Sequence, residues 1–453
     1  MSTSHVQIDP NIFSSYDIRG IYGEKLTDEI AYLIGRAAAA HLQVPDIAVG
    51  RDMRLSSPQI AAALIRGLSD QGVNVIDLGL TTTDELYFAV GKYNYSAGVM
   101  VTASHNPGKY NGMKFCRAQA FPVSKETGLA AIRDLAISGD FPTPTRRGEV
   151  TNRDVLDAYV EHALSFIDVS KIKPLKVIID AGNGMAGMAM PRVFEKLPCT
   201  LIPLYFELDG SFPHHPASPI EPENMEDLQK KVRETGADLG AAFDGDADRM
   251  FPVDEHGDIV DGSMVTAIAS NSLLQKHPGS TILYNLIVSK SVPELVEKLG
   301  GKSFRTRVGH SYIKADMRTH NAIFGGEHSG HFYFRDNWYA DSGLIAFLMT
   351  LELVSIGGKP LSQMLQPLDH WVRSGEYNST VSDTASKLAA LEEHFGKSAQ
   401  SVDHLDGVTF DFGDWWFNVR PSNTEPLLRL NIEARTKNLM EAKRDEVLAF
   451  IRG

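Results

Sequence analysis

Cysteine is scarce in this chain. Cys116 and Cys199 are the only two in 453 residues, too few for a disulfide framework, which excludes a bridge-stabilised secreted scaffold and points to the cytoplasm. No apolar run approaches the ~20 residues that a membrane-spanning helix requires, so no membrane partner is expected. The opening stretch Met1 to Pro10 has neither the basic nor the apolar region of a signal peptide. Basic charge is in short supply too: 44 Lys and Arg stand against 57 Asp and Glu, a net charge of −13. That excludes nucleic acid as the main partner, because the basic footprint is missing. It leaves room for a small anion, since a local cluster of Arg, Lys and backbone N–H groups binds phosphate inside an acidic protein. What is present is an ordinary globular composition on a chain too long for a single core.

Strands and helices alternate through the first two thirds of the chain. Thr27 reads as an N-cap with Asp28 and Glu29 in the first turn, and Ile30, Leu33, Ile34, Ala37 and His41 follow at helical spacing. Short apolar strands are expected at 47–49, 73–78 and 98–101, with a helix opened by Ser57-Pro58. Phe141-Pro142-Thr143-Pro144 reads as a linker. The same grammar then restarts near Lys176 and again near Thr281, which suggests a structural triplication with mainly parallel sheets. From about Leu368 the pattern changes to helices alternating with strands spaced like hairpins, the mark of a smaller α+β domain.

Four loops carry chemistry. The first, Val101-Thr102-Ala103-Ser104-His105-Asn106-Pro107, sits at the end of a buried strand with Ser104 at its centre. Open α/β sheets place their chemistry at the carboxyl ends of strands, although a polar βα turn would look the same. Asn111-Gly112 adds a second turn signal, and Lys114 follows. The second loop, Asp244-Gly245-Asp246-Ala247-Asp248-Arg249, has carboxylates at alternate positions that can converge on a hard cation. An EF-hand is disfavoured, because Arg249 stands where that loop needs glycine. The third, Gly325-Gly326-Glu327-His328-Ser329-Gly330-His331, combines glycines that admit a ligand with side chains suited to sugar hydroxyls. The fourth, Arg420-Pro421-Ser422-Asn423-Thr424-Glu425-Pro426, offers a guanidinium, hydroxyls and turn amides for a phosphate. His310, in Gly309-His310-Ser311, stands before a helix, either as a proton shuttle or as a mere neighbour of the cap.

Together these loops, in this order, resemble the phosphoserine, metal, sugar and phosphate loops of the α-D-phosphohexomutases, and Tyr16-Asp17-Ile18-Arg19-Gly20 is similar to that family's opening motif. The sugar loop resembles the phosphomannomutase and phosphomannomutase/phosphoglucomutase branch; Pro213-His214-His215-Pro216 follows the family pattern only loosely. The resemblance implies an α/β fold: three tandem similar α/β/α domains with mixed, mainly parallel sheets, plus a C-terminal α+β domain, arranged around a central active-site cleft. The expected domains are 1–145 (phosphoserine), 146–252 (metal), 253–367 (sugar) and 368–453 (phosphate). The implied activity is interconversion of mannose 6-phosphate and mannose 1-phosphate by intramolecular phosphotransfer, feeding GDP-mannose synthesis, with phosphoglucomutase as the alternative main activity. It would run through phosphoserine and a hexose 1,6-bisphosphate. A non-catalytic sugar-phosphate or Ca²⁺-binding protein is the rival from another class.

The resemblance also implies Mg²⁺ on Ser104, Asp244, Asp246 and Asp248, with Arg19 and Arg249 beside the transferring phosphoryl group. It leaves Lys114, His310 and His331 as unranked candidates for the proton carrier. Tyr16, Glu327, Ser329, Arg420, Ser422, Asn423 and Thr424 would bind substrate. The partners implied are small hexose phosphates, for a monomer or homodimer, with neither nucleic acid nor membrane.

Overall fold

The computed structural model describes residues 6–421 and 427–453. They form two compact units: one comprises the chain up to Asp261 together with Ser329–Ser362, the other Gly262–His328 together with the chain from Gln363 onward.

The first unit contains two mixed sheets. One runs, in spatial order, Ile18–Ile21, Tyr110–Arg117, Ala97–Val101, Asp46–Arg51, Asn74–Leu80 and Val150–Asn152, with Phe121–Pro122 beside Tyr110–Arg117. Its Asp46–Arg51, Asn74–Leu80 and Ala97–Val101 strands are parallel, and Tyr110–Arg117 returns antiparallel. The loop holding Ser104 therefore leads into an antiparallel strand, where the sequence allowed a βα turn. Asn111 and Gly112 lie inside that strand and make no turn. The glycine is there for closeness: a Cβ at Gly112 would stand 2.0 Å from the Ile18 carbonyl oxygen. The second sheet runs Met250–Val253, Leu239–Phe243, Lys176–Asp180, Thr200–Leu204, parallel except for its first pair.

Helix formation follows the expected signals. Thr27 caps Asp28–Leu42 through its hydroxyl, and Thr82 and Glu85 form a capping box on Thr83–Lys92. Gly343–Gly357 is apolar on nearly every face and is accordingly buried almost throughout. Among the described residues no helix is long and apolar enough to cross a membrane.

The second unit holds a parallel set, Lys302–Thr306, Thr281–Asn285 and Phe324–Gly326. In the last of these strands, Gly325 and Gly326 were expected as ligand-admitting loop residues. Instead both glycines are buried strand residues that let helices approach: a Cβ on Gly326 would meet Thr266 Oγ1 at 2.1 Å. The C-terminal segment is a wholly antiparallel sheet in the order Val372–Thr380, Leu427–Ala434, Trp415–Pro421, Val408–Asp411, Ser401–Asp403. Helices Thr384–Phe395 and Lys437–Arg452 share its core with Phe410, Phe417 and Leu430. Val372–Thr380 escaped the sequence reading because its exposed, polar face, with Gly375 at a bulge, lacks clean alternation.

Candidate active site

Strand Ala97–Val101 is buried at every position and delivers the chain into the serine loop. The Thr102 N–H returns to the Gly112 carbonyl at 3.1 Å, and the Ser104 N–H donates to Thr102 Oγ1 at 2.9 Å. Ser104 adopts φ 50°, a left-handed conformation that costs an L-residue about 1–2 kcal/mol. Such outliers persist only where surrounding structure holds them.

The acidic loop joins the antiparallel strands Leu239–Phe243 and Met250–Val253, so it is a strand–loop–strand and not a helix-flanked EF-hand. Ala247 at its centre is also left-handed, with φ 64°. Asp244, Asp246 and Asp248 offer oxygens that lie within 4.8 Å of one another, and all three residues are buried. Ser104 Oγ donates to Asp244 Oδ2 at 2.7 Å. The two loops touch through their backbones: a Cβ on Gly245 would stand 2.5 Å from the Ser104 carbonyl oxygen.

Three buried carboxylates so close together need positive charge. Lys114, directly opposite Met100 in the neighbouring strand, supplies some of it, donating to Asp246 Oδ2 at 2.8 Å and Asp248 Oδ2 at 2.7 Å. Burial works against the ammonium, but Asp246, Asp248 and Asp244 outweigh it and hold the Lys114 pKa above the ordinary lysine value. Thr83 Oγ1 is a second donor to Asp246 Oδ2, at 2.5 Å. Burial and its two acidic neighbours push the Asp244 carboxyl well above the ordinary range. The Arg249 N–H donates to Asp244 Oδ1 at 3.2 Å, with Arg249 Nε 3.7 Å from Oδ2.

The other oxygens, Asp246 Oδ1 and Asp248 Oδ1, are buried without a hydrogen-bond partner. Buried acceptors left so are costly. An all-oxygen set of converging carboxylates with two such atoms fits a hard divalent cation, and Mg²⁺ suits a site with few protein ligands.

Other residues named from the sequence lie in the same unit. Arg19 bonds Asp17 Oδ2 at 2.8 Å and, through Nη1, the side-chain oxygen of Asn106 in the serine loop. Tyr16 is half-buried near the start of the same segment. His331 pairs with Arg249 through a backbone bridge, and its Nδ1 lies 2.9 Å from Asp341 Oδ2, an ion-pair distance without the alignment of a hydrogen bond. Ser329 is half-buried. His105, next to the serine, is a poor base: the Arg249 charge, burial and Arg19 hold its pKa well below the usual histidine value. Its Nδ1 is 3.4 Å from Ser104 Oγ, against 2.7 Å for Asp244.

In the second unit, Glu327 Oε1 accepts from Asn285 Nδ2 and from the Gly309 N–H, both at 3.2 Å. Gly309 caps helix His310–His320, so His310 is the helix's first residue and not a loop residue before it. Arg420 is a strand residue; it donates to Glu376 at 2.5 Å and Asn431 at 2.9 Å. Arg429 lies 3.6 Å from the same glutamate, an ion pair in keeping with a structural part. Ser422, Asn423 and Thr424 lie outside the described residues.

Sequence reasoning passed over Arg54, Thr83 and Asp341. Arg54 and Thr83 follow the carboxyl ends of parallel strands, a position that flags chemistry in α/β sheets. Asp341 had no local signal; its meaning comes from the pairing of Tyr333 with Asp341 that brings it beside His331.

A serine hydroxyl held against a buried carboxylate cluster that fits a divalent cation suits metal-assisted phosphoryl transfer. Models of phosphoglucomutase/phosphomannomutase α/β/α domains I, II and III and of the C-terminal domain match residues 10–142, 157–257, 261–370 and 376–450. A phosphomannomutase of Salmonella montevideo is 42% identical, covering 97% of this chain and 98% of that protein. A Xanthomonas campestris pv. campestris protein named for phosphohexose mutases is 41% identical, covering 97% and 99%. The crystal structure of a phosphoglucomutase/phosphomannomutase family protein from Burkholderia thailandensis matches at TM-score 0.91 and 32% identity, covering 98% of each chain. The chain belongs to the phosphoglucomutase/phosphomannomutase family. It is a phosphohexomutase, an isomerase that moves phosphate within a sugar.

Proposed function

We propose that this phosphohexomutase is a phosphomannomutase, interconverting mannose 6-phosphate and mannose 1-phosphate through a phosphoryl group on Ser104 and a hexose 1,6-bisphosphate. The observation that carries the reading is Ser104 Oγ 2.7 Å from Asp244 in a buried carboxylate triad. The mannose preference is supported by relatives named phosphomannomutase at 41–42% identity. Mg²⁺, held by Asp244, Asp246, Asp248 and an oxygen of phosphorylated Ser104, would neutralise charge developing on the transferring group.

The chain's own residues do the rest. A sugar hydroxyl attacks phosphorus and gives its proton to a base, the bond from phosphorus to Ser104 Oγ breaks, and the departing Ser104 oxygen takes up a proton to become a hydroxyl. In the second half, the Ser104 hydroxyl attacks the other phosphorus of the reoriented bisphosphate and gives its proton to the base, the bond from that phosphorus to the sugar oxygen breaks, and the sugar oxygen takes up a proton. Lys114, bonded to two carboxylates, suits a cationic partner of the phosphoryl group better than a base. His331, with Nδ1 against Asp341, has its other nitrogen for the proton; His310 remains a further candidate. Arg19 and Arg249 add charge at the phosphoryl oxygens. Glu327 and Ser329 hold sugar hydroxyls, Tyr16 lines the substrate, and Arg420, Ser422, Asn423 and Thr424 take the non-transferring phosphate. In this division of labour 1–145 carries the serine, 146–252 the metal, 253–367 the sugar loop and 368–453 the phosphate loop. Placement in the cytoplasm and a supply of mannose 1-phosphate for GDP-mannose belong to the same reading.

Two measurements test it. Intact-mass analysis after incubation with Mg²⁺ and glucose 1,6-bisphosphate should find one phosphate, absent in Ser104→Ala, and that variant should be inactive; wild-type rates in Ser104→Ala would end the proposal. kcat/KM should be higher for mannose 1-phosphate than for glucose 1-phosphate, and the reverse would make phosphoglucomutase the main activity.

A further inference from the structure

We propose that Arg54 is the positioning residue of the nucleophile loop, its guanidinium fixing the backbone that carries Ser104. The proposal rests on the reading of Ser104 as the phosphoryl carrier. Arg54 and Asp52 have fully buried side chains, and every N–H of the guanidinium is used. Nε donates to Asp52 Oδ2 at 3.1 Å. Nη1 donates to the carbonyls of Pro107 at 2.9 Å and Tyr110 at 3.0 Å. Nη2 donates to the carbonyls of Ser104 and Asn106, both at 2.7 Å. Five donors in a fixed plane meet five acceptors, four of them backbone oxygens of the segment 104–110.

One of those oxygens belongs to Ser104 itself, the residue in the left-handed conformation. The clamp therefore acts on the backbone that aims Oγ at Asp244. It is packed against by the segment leading into Pro213-His214-His215-Pro216, whose role the proposed mechanism leaves open. The Phe212 ring centroid lies 5.2 Å from the guanidinium carbon, and a Cβ on Gly210 would stand 2.4 Å from Arg54 Cα. Asp52 fixes the clamp in turn, also accepting from the Arg54 N–H at 3.0 Å and Ser57 Oγ at 2.5 Å. A lysine has a point charge and no planar fork, so it cannot span four carbonyls.

The test is Arg54→Lys in the full chain, with kinetics and hydrogen exchange measured together. Misplacing a reacting atom by ~1 Å costs about 100-fold in rate, so kcat should fall about 100-fold with KM changed by less than about threefold. Amide exchange should accelerate over 102–112, where Thr102, Asn106 and Tyr110 N–H groups are bonded within the loop, and not in Asp28–Leu42. Wild-type kcat together with wild-type exchange in 102–112 would overturn the proposal. Should Arg54→Lys fail to fold, Phe212→Leu decides with Arg54 in place: faster exchange over 102–112 supports the clamp, and unchanged exchange rejects it. Failure of the wild type to take phosphate on Ser104 would remove the proposed function, while the exchange measurement would still judge Arg54.

Discussion

Ser104 and Asp244, 140 positions apart in the chain, meet at 2.7 Å, and neither has a side chain long enough to search for the other. In the proposed mechanism the nucleophile and the cation site are thus one object. Chelation should abolish turnover, and Mg²⁺ titration should restore it. The cation should also stabilise the fold: at about 100 times its dissociation constant the gain is about 2.7 kcal/mol. Unfolding by urea with and without Mg²⁺ measures this directly, and no shift would remove Mg²⁺ from the site.

Lys114 is the cation that the buried carboxylates hold in this structure, so Lys114→Met should damage stability as well as rate. Removing one partner of a buried pair costs roughly 3–5 kcal/mol, and here Asp246 and Asp248 both lose it. Part of the loss should return on adding Mg²⁺. A variant with a wild-type urea midpoint would show that the ammonium does not hold the triad together.

Asp84 provides a pH signature away from the reacting atoms. Burial raises its carboxyl from 3.8 to about 7 despite hydroxyls from Thr82, Tyr159 and Ser342. A carboxyl with a raised folded pKa binds more protons folded than unfolded, so its contribution is complete below pH 3.8 and is lost as pH rises toward about 7. Stability should fall by up to about 1.4 kcal/mol per pH unit in that window. Asp84→Asn should flatten the slope, leaving the part due to Glu85, which burial raises to about 8. An unchanged slope in Asp84→Asn would refute the assignment.

Gly326 and Gly139 separate two reasons for glycine. Gly326→Ala drives a methyl into Thr266 Oγ1, so it should cost about 1–3 kcal/mol by overpacking. Gly139→Ala meets open space at φ 66°, so its cost should be only the left-handed conformation, about 1 kcal/mol. Thermal unfolding of the pair ranks them, and the reverse order would contradict the account.

Much of this was legible in the chain itself. The Asp244, Asp246, Asp248 alternation needs no tertiary information, because one loop places all three carboxylates. The strand before Ser104 is apolar enough to be read as buried. Asn111-Gly112 misled because a glycine needed for a 2.0 Å approach in a sheet looks the same as one needed for a turn. Arg54 was missed for a related reason: a lone arginine on a connection reads as solvated surface, and only tertiary folding surrounds it with carbonyls. His331 was named from the sequence but its neighbour Asp341 was not, because ten positions and a short hairpin separate them.

The bare Cα of Gly245 against the Ser104 carbonyl has a consequence for how this site can vary over time. Every other amino acid carries a Cβ, so any missense change in that codon pushes the acidic loop away from the serine loop. Drift or directed evolution can change the surrounding side chains residue by residue. At Gly245 there is no neighbouring sequence to step to, and lineages that keep the chemistry must keep the glycine.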